Sequence, residues 1–187
     1  MKTNKNLLQF IAYILLFGLW SLLLLTVYAV GQQVLRQSAN DPQIQIAEDG
    51  AAYLSQGGLA TDFDNPSKID ISKSLTPFLI IYDLQGKPLA SSAQLGGQMP
   101  LIPLGVLETS TASGENRVTW QPKTNLRFAL VVHSVSGHNA GYIAVGRSIR
   151  EVEIREDNLF KISALAWLAG LILLILLALA RRLSQRV

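Results

Sequence analysis

Residues 7–30 read LLQFIAYILLFGLWSLLLLTVYAV and contain no charged side chain. A second uncharged stretch, residues 162–180, reads ISALAWLAGLILLILLALA. At a rise of about 1.5 Å per residue, a helix of either length is long enough to cross the roughly 30 Å hydrocarbon core of a bilayer. Because backbone polar groups find no water in lipid, both stretches are expected to be helical. The sequence therefore predicts two transmembrane helices in a lipid bilayer, at residues 7–30 and 159–180.

The charges beside these stretches predict an orientation. All 13 acidic residues lie between Asp41 and Asp157. Basic residues lie before the first stretch and after the second: Lys2, Lys5, Arg181, Arg182 and Arg186. Because cytoplasmic flanks are enriched in Lys and Arg, residues 1–6 and 181–187 are expected in the cytoplasm. Residues 31–158 are then expected on the outer face of a bacterial plasma membrane.

Charge and cysteine content exclude several classes of function. The chain of 187 residues has a formal net charge of +3, but the basic excess belongs to the membrane flanks. The middle region, residues 31–158, is mildly acidic, so the charge does not indicate nucleic-acid binding. The chain has no cysteine, which excludes disulfide bonds, thiol catalysis and cysteine-ligated zinc.

The first apolar stretch also has features of a cleaved signal peptide. Lys2 and Lys5 give it a basic start, and residues 27–29 match a small-residue cleavage pattern. Its apolar run is longer than the roughly 7–15 residues usual in signal peptides. An uncleaved membrane anchor is therefore the favoured interpretation.

The middle region changes from helical to extended periodicity. Asp41 as N-cap and Pro42 at the first helical position predict a helix, with apolar residues at helical spacing until Gly57 and Gly58 end it. Residues 59–70 are polar and are expected to form a loop. Runs rich in β-formers then predict five strands, at residues 78–82, 87–92, 117–121, 126–134 and 140–147.

The order of these elements predicts the fold class. Five strands with flanking helices indicate an α+β domain built on a mostly antiparallel sheet. In the strand at 126–134, period-two alternation assigns Leu126, Phe128, Leu130 and Val132 to the core face. From Ser148 onward no Gly or Pro interrupts the sequence until Gly170. One continuous helix is therefore expected to leave the sheet and enter the second span.

Three segments carry a resemblance to a known family: residues 37–43 (QSANDPQ), 77–92 (PFLIIYDLQGKPLASS) and 141–153 (GYIAVGRSIREVE). In this order, between two spans, they resemble the sensor region of bacterial two-component sensor histidine kinases. In that family an extracytoplasmic PAS-like domain, of the PDC or single Cache type, lies between two transmembrane helices. The chain departs from the family because it lacks the HAMP linker and the kinase domain. It is expected to be either a stand-alone sensor-like protein or a fragment of a longer one.

The resemblance also implies a ligand site and a homodimer formed through the helices beside the membrane. Candidate ligand-binding residues are polar or aromatic groups on the strands: Tyr82, Trp120, Arg127, His133 and Tyr142. Arg127 and His133 share parity in one strand, so both are expected on one face, where they could meet an anionic ligand together. The alternative is that this face is the solvated side of an antiparallel sheet, and that Tyr82 and Trp120 are core aromatics.

Enzyme and metal motifs are missing from the sequence. No phosphate-binding loop, zinc-protease motif or nucleophile elbow occurs, so no catalytic residue and no cofactor is predicted. His133 and His138 lie across a predicted turn without a neighbouring carboxylate cluster, so no metal site is predicted. Asp62, Asp64 and Asp70 are expected to be solvated loop carboxylates.

The leading hypothesis is a non-enzymatic membrane sensor that detects a small molecule or a partner outside the cell. Its spans would relay the signal to another protein, such as a signalling kinase. The alternative is an envelope assembly or scaffold protein whose PAS-like domain makes only protein contacts. A third hypothesis is a membrane-anchored enzyme with an unrecognised site.

Overall fold

The computed structural model describes residues 2–137 and 139–184, with the side chains of residues 2–6 left undescribed. It divides into two compact units, Met1–Leu35 with Glu153–Val187, and Arg36–Val152. The elements in chain order are α1 (Lys2–Ser38), α2 (Asp41–Ser55), a 3-10 turn (Ala60–Phe63), β1 (Ile69–Asp70), β2 (Phe78–Asp83), β3 (Pro88–Ser91), β4 (Ala93–Gln94), α3 (Leu104–Ser113), β5 (Glu115–Lys123), β6 (Leu126–Val135), β7 (Gly141–Ser148) and α4 (Arg150–Ser184).

The helical unit contains the two apolar helices expected from the sequence. Windows in α1 and α4 have mean hydropathies of 2.4 and 2.7, and by length and composition both helices can cross a membrane. Within this unit Trp167 Nε1 donates a hydrogen bond to Ser21 Oγ over 2.9 Å. The Trp167 ring also packs against Phe17, with ring centroids 5.3 Å apart. The two helices are therefore joined by polar and aromatic contacts within one chain.

The second unit confirms the expected mixture of helices with a five-stranded antiparallel sheet. The strand order is β3-β2-β7-β6-β5, and each neighbouring pair is antiparallel. The loop predicted at 59–70 instead contains the 3-10 turn and β1, which pairs in parallel with β4. Such short elements have too few residues for a periodic pattern to reveal them.

Both faces of the sheet are buried. One face packs against α3, and the other packs against α2. The core of the first face contains Phe78, Tyr82, Phe128, Leu130 and Val132, among others. The core of the second face contains Ala47, Leu54, Val131, Ile143 and Val145, among others. The interpretation of this second face as solvated is therefore wrong, because α2 covers it.

Helix α2 lies close to the sheet because small residues form its inner side. Ala47 and Gly50 are buried there, and a Cβ at Gly50 would overlap Cδ1 of Ile143 on β7. The helix begins at Asp41 and not at Pro42, since Asn40 occupies the N-cap position. This close approach places the polar edge of α2 next to the strands β5 and β6.

Candidate functional site

A histidine and two carboxylates converge at the edge of the sheet face that α2 covers. In the β5–β6 register, Glu115 lies directly opposite His133. Glu115 Oε2 and His133 Nε2 are 3.1 Å apart, and the two side chains are 21% and 16% exposed. Glu48 of α2 completes the group, with one ligand-type atom from each of the three residues within 4.8 Å of the others. The group is called the Glu–His cluster below.

The local fold explains why these three residues meet. Antiparallel pairing fixes Glu115 and His133 on the same face of the sheet. Glu48 follows Ala47, which is fully buried against that face. A helix residue next to a buried one lies at the margin of the buried stripe, so Glu48 reaches the strand edge while remaining exposed.

Arg117 bonds to Glu115 and keeps this carboxylate of the Glu–His cluster ionised. Its Nε donates a hydrogen bond to Glu115 Oε1, which leaves Oε2 on the His133 side. The Arg117 hydrogen bond, and then the charges of Arg117 and His133, hold the pKa of Glu115 below its usual range. The hydrogen bond to Glu115, and then the negative charges of Glu115, Glu48 and Asp41, raise the pKa of the Arg117 guanidinium. Glu115 is therefore an ionised carboxylate that lies between the side chains of Arg117 and His133.

The three predicted aromatic ligand residues lie in the core of the opposite face. Tyr82 is fully buried, and its hydroxyl donates to the carbonyl of Pro100 and accepts from the N–H of Ile102. Trp120 packs against Phe128 with ring centroids 5.5 Å apart. Tyr142 is buried in the same core. Their positions agree with the alternative in which aromatic strand residues serve as packing.

Arg127 and His133 lie on the face opposite these aromatics, as their shared parity predicted. They are six positions apart on β6, which corresponds to about 20 Å along an extended strand. One small anion cannot contact both side chains across that separation, so the structure does not bring them into a common site. The structure therefore does not support an anion site formed by Arg127 and His133 together. His133 instead lies beside Glu48 and Glu115.

The other metal candidates are placed separately. His138 lies outside the described residues. Asp62 accepts hydrogen bonds from the Tyr53 hydroxyl and the Leu59 N–H. Asp64 pairs with Lys68 and accepts the Ser91 N–H, and Asp70 accepts from Ser72. Each of these loop carboxylates serves local hydrogen bonding. In the described part of the chain, only the Glu–His cluster brings three such ligands together.

Sequence reasoning missed the Glu–His cluster because its members are remote in the chain. The expectation of no metal site rested on the absence of carboxylates near His133 in sequence. Glu48 lies on α2 and Glu115 begins β5, and only the strand register and the helix position bring them to His133. The one signal in the sequence was the parity of His133, which gives its face of the sheet but not its neighbours.

Compared with known protein families and with curated proteins, the chain matches none. Its function is therefore inferred from its own residues and geometry.

Proposed function

We propose that this chain is a non-enzymatic sensor protein of a bacterial plasma membrane. In this proposal the α+β unit lies outside the cell and binds a small molecule or a partner. The two apolar helices cross the membrane and relay the bound state to a signalling protein such as a kinase. Both termini are cytoplasmic, and two copies form a dimer.

The observation that carries this proposal is the junction between β7 and α4. Strand β7 ends at Ser148, α4 begins at Arg150, and α4 continues to Ser184 without a break. Strand β7 is central in the sheet, between β2 and β6, and six of its eight residues are buried. Because a helix transmits a displacement along its axis better than a flexible linker does, a shift of β7 is expected to reach the apolar part of α4.

The partner of this relay can be identified by crosslinking the full chain in intact membranes. The protein is purified through a cytoplasmic C-terminal tag, and the captured proteins are identified by mass spectrometry. A histidine kinase or another signalling protein is the expected partner. Capture of envelope-assembly proteins alone would contradict the sensor function.

A matched pair of variants tests whether α4 carries the relay. Arg155 lies on α4 between the sheet and the apolar stretch. Arg155→Pro removes a helix hydrogen bond and kinks α4, whereas Arg155→Ala keeps the helix. We expect the proline variant to keep its partner but to lose any ligand-dependent change in crosslinking, while the alanine variant retains that change. Equal behaviour of the two variants would contradict a relay through α4.

A scaffold function is the second candidate, and the filled core favours it. The aromatic residues expected to bind a ligand are packed in the core. Large leucines are exposed in the β2–β3 turn, in the segment before α3 and at the first position of α3: Leu84, Leu101 and Leu104, respectively. Gly86 in that turn lies against Leu104, so the turn and the first residue of α3 are close to each other. A scaffold predicts that Leu101→Ser abolishes partner capture, whereas a sensor whose partner contacts the membrane helices keeps it.

A further inference from the structure

We propose that Glu48, Glu115 and His133 bind a first-row divalent metal cation of the zinc class. This inference deepens the proposed function by naming the ligand of the sensor, and it rests on that function only for the signalling consequence of binding. Binding itself depends on the three side chains alone.

The geometry already approaches that of a metal site. Zinc lies about 2.0–2.2 Å from nitrogen and carboxylate-oxygen ligands, so two donors on one tetrahedral ion are roughly 3.3 Å apart. The His133 Nε2 and Glu115 Oε2 atoms are 3.1 Å apart. All three ligand atoms lie within 4.8 Å of one another. Because Glu48 is exposed, its side chain is free to change rotamer when the ion binds.

The three ligands come from three different elements, and the packing of these elements fixes where each ligand lies. The β5–β6 register holds Glu115 and His133, and the packing of Ala47 against the sheet holds the α2 turn that carries Glu48. The side chains of Glu115 and His133 are mostly buried, at 21% and 16% exposed. Water completes the coordination on the open side, next to Glu48.

The ligand chemistry selects the kind of ion. One imidazole nitrogen with two carboxylates suits Zn²⁺, Mn²⁺, Co²⁺ or Ni²⁺. Magnesium and calcium prefer oxygen-only shells, so His133 discriminates against them. The ion binds His133 Nε2 as a neutral imidazole whose proton is on Nδ1.

Arg117 shares the Glu115 carboxylate with the proposed metal ion. It occupies Oε1 of Glu115, while Oε2 faces His133 and is the oxygen that the metal would take. A carboxylate that ligates a metal is commonly held in place by a hydrogen bond through its other oxygen, and Arg117 supplies that bond. The competing explanation is a plain ion-pair network in which Arg117 bonds to Glu115 and is also stabilised by the charge of Glu48. Such a network does not respond to zinc.

The test is isothermal titration of the full chain in detergent micelles, purified through a tag that contains no histidine. Zinc chloride is the probe, and magnesium and calcium chlorides are the comparison ions. We expect one equivalent of zinc to bind and neither comparison ion to bind. Absence of zinc binding, or equal binding of magnesium, would overturn the proposal.

Variants connect binding to the three ligands. Glu48→Gln changes an exposed residue without disturbing the core, and we expect it to weaken zinc binding at least about tenfold. Glu115→Gln and His133→Ala are expected to weaken binding at least as much. The chain's other histidine provides the control, since His138→Ala is expected to leave the affinity unchanged. Equal affinity in wild type and Glu48→Gln, or loss of binding in His138→Ala, would overturn the assignment.

Folding of each variant is checked by circular dichroism without metal. Zinc binding by these residues with no signalling partner captured would leave the metal site standing and overturn only the proposed function. Capture of a signalling partner with no zinc binding would overturn the metal site and leave the proposed function standing.

Discussion

At the scale of single residues, Tyr82 joins the sheet to the segment that covers it. Its buried hydroxyl bonds to the carbonyl of Pro100 over 3.2 Å and to the N–H of Ile102 over 3.3 Å. Burial raises the pKa of Tyr82, so the phenol stays neutral and donates one of these bonds. The side chain therefore fixes the residues that precede α3.

Replacing Tyr82 by phenylalanine removes both bonds and leaves two buried backbone groups without that partner. We expect Tyr82→Phe to lower the free energy of unfolding by about 1–3 kcal/mol. Urea unfolding of the full chain in micelles measures this loss. Tyr53→Phe is the control, because the Tyr53 hydroxyl bonds to Asp62 at an exposed position, where the loss is smaller. A smaller effect at Tyr82 than at Tyr53 would contradict this role.

Asp64 links the loop after the 3-10 turn to strand β3. It pairs with Lys68, and it accepts a hydrogen bond from the Ser91 N–H over 3.2 Å. The Lys68 hydrogen bond, and then the Ser91 N–H, lower the pKa of Asp64 below its ordinary value. The ionised form therefore favours the folded state.

This lowered pKa predicts a direction for the pH dependence of stability. The contribution of Asp64 is complete above the ordinary aspartate pKa of about 3.9, and it is lost as the pH falls through the lowered folded-state pKa. We expect Asp64→Asn to be less stable than wild type near pH 6, and the difference to shrink at pH values below about 4. Urea unfolding across this pH range measures the difference in stability between wild type and Asp64→Asn. Asp49→Asn, at an exposed position of α2, is the control. A difference that grows at low pH would contradict the assignment.

The residue scale also shows how much of the candidate site could be predicted. Period-two alternation placed Arg127 and His133 on one face, and the structure has them there. Alternation does not say which residue of a neighbouring strand lies opposite a given one, so the pairing of Glu115 with His133 was not predicted. In a hairpin the buried pattern and the turn set the register together. The strand predicted at 117–121 did not include Glu115, whereas β5 begins at that residue, so its pairing with His133 was not considered.

At the scale of elements, α2 is held on the sheet by close packing at Gly50. The position faces Ile143 of β7 and is buried. We expect Gly50→Leu to push α2 away and to cost about 1–3 kcal/mol. Ala52→Leu, two residues along on the exposed side, is expected to change stability by less than about 0.5 kcal/mol. Urea unfolding compares the two, and equal effects would contradict close packing at Gly50.

Displacement of α2 by Gly50→Leu also bears on the Glu–His cluster. Glu48 is carried by the same helix, so moving α2 is expected to separate Glu48 from His133. Zinc affinity should therefore fall in Gly50→Leu and remain in Ala52→Leu. Unchanged zinc affinity in Gly50→Leu would contradict the claim that zinc binding depends on where α2 lies.

Element types were predictable where the pattern was long. The five strands and the helices α1, α2 and α4 follow from sustained periodicity or from unbroken apolar runs. Helix α3 extends over Leu104–Ser113, and its extent was not predictable because its later residues are mostly Ser and Thr, which are weak helix formers. The covering of both sheet faces was not predictable, since it depends on where α2 docks.

At the scale of the whole molecule, a folded α+β unit is joined to two apolar helices. Length and hydropathy make both helices candidates for crossing a membrane, and the flanking charges predict which side each part occupies. The domain boundaries at residues 31–158 and 159–180, the orientation and the dimer remain predictions. Because the chain has no cysteine, a single introduced cysteine reports the side of the membrane on which its position lies.

The most direct test is labelling of such variants by a membrane-impermeant maleimide, in intact cells and after lysis. Thr124 lies exposed in the β5–β6 turn, Ser184 ends α4, and Leu173 lies within its apolar stretch. We expect Thr124→Cys to be labelled in intact cells, Ser184→Cys to be labelled only after lysis, and Leu173→Cys to resist labelling in both. Labelling of Thr124→Cys and Ser184→Cys from the same side, or ready labelling of Leu173→Cys, would contradict this topology.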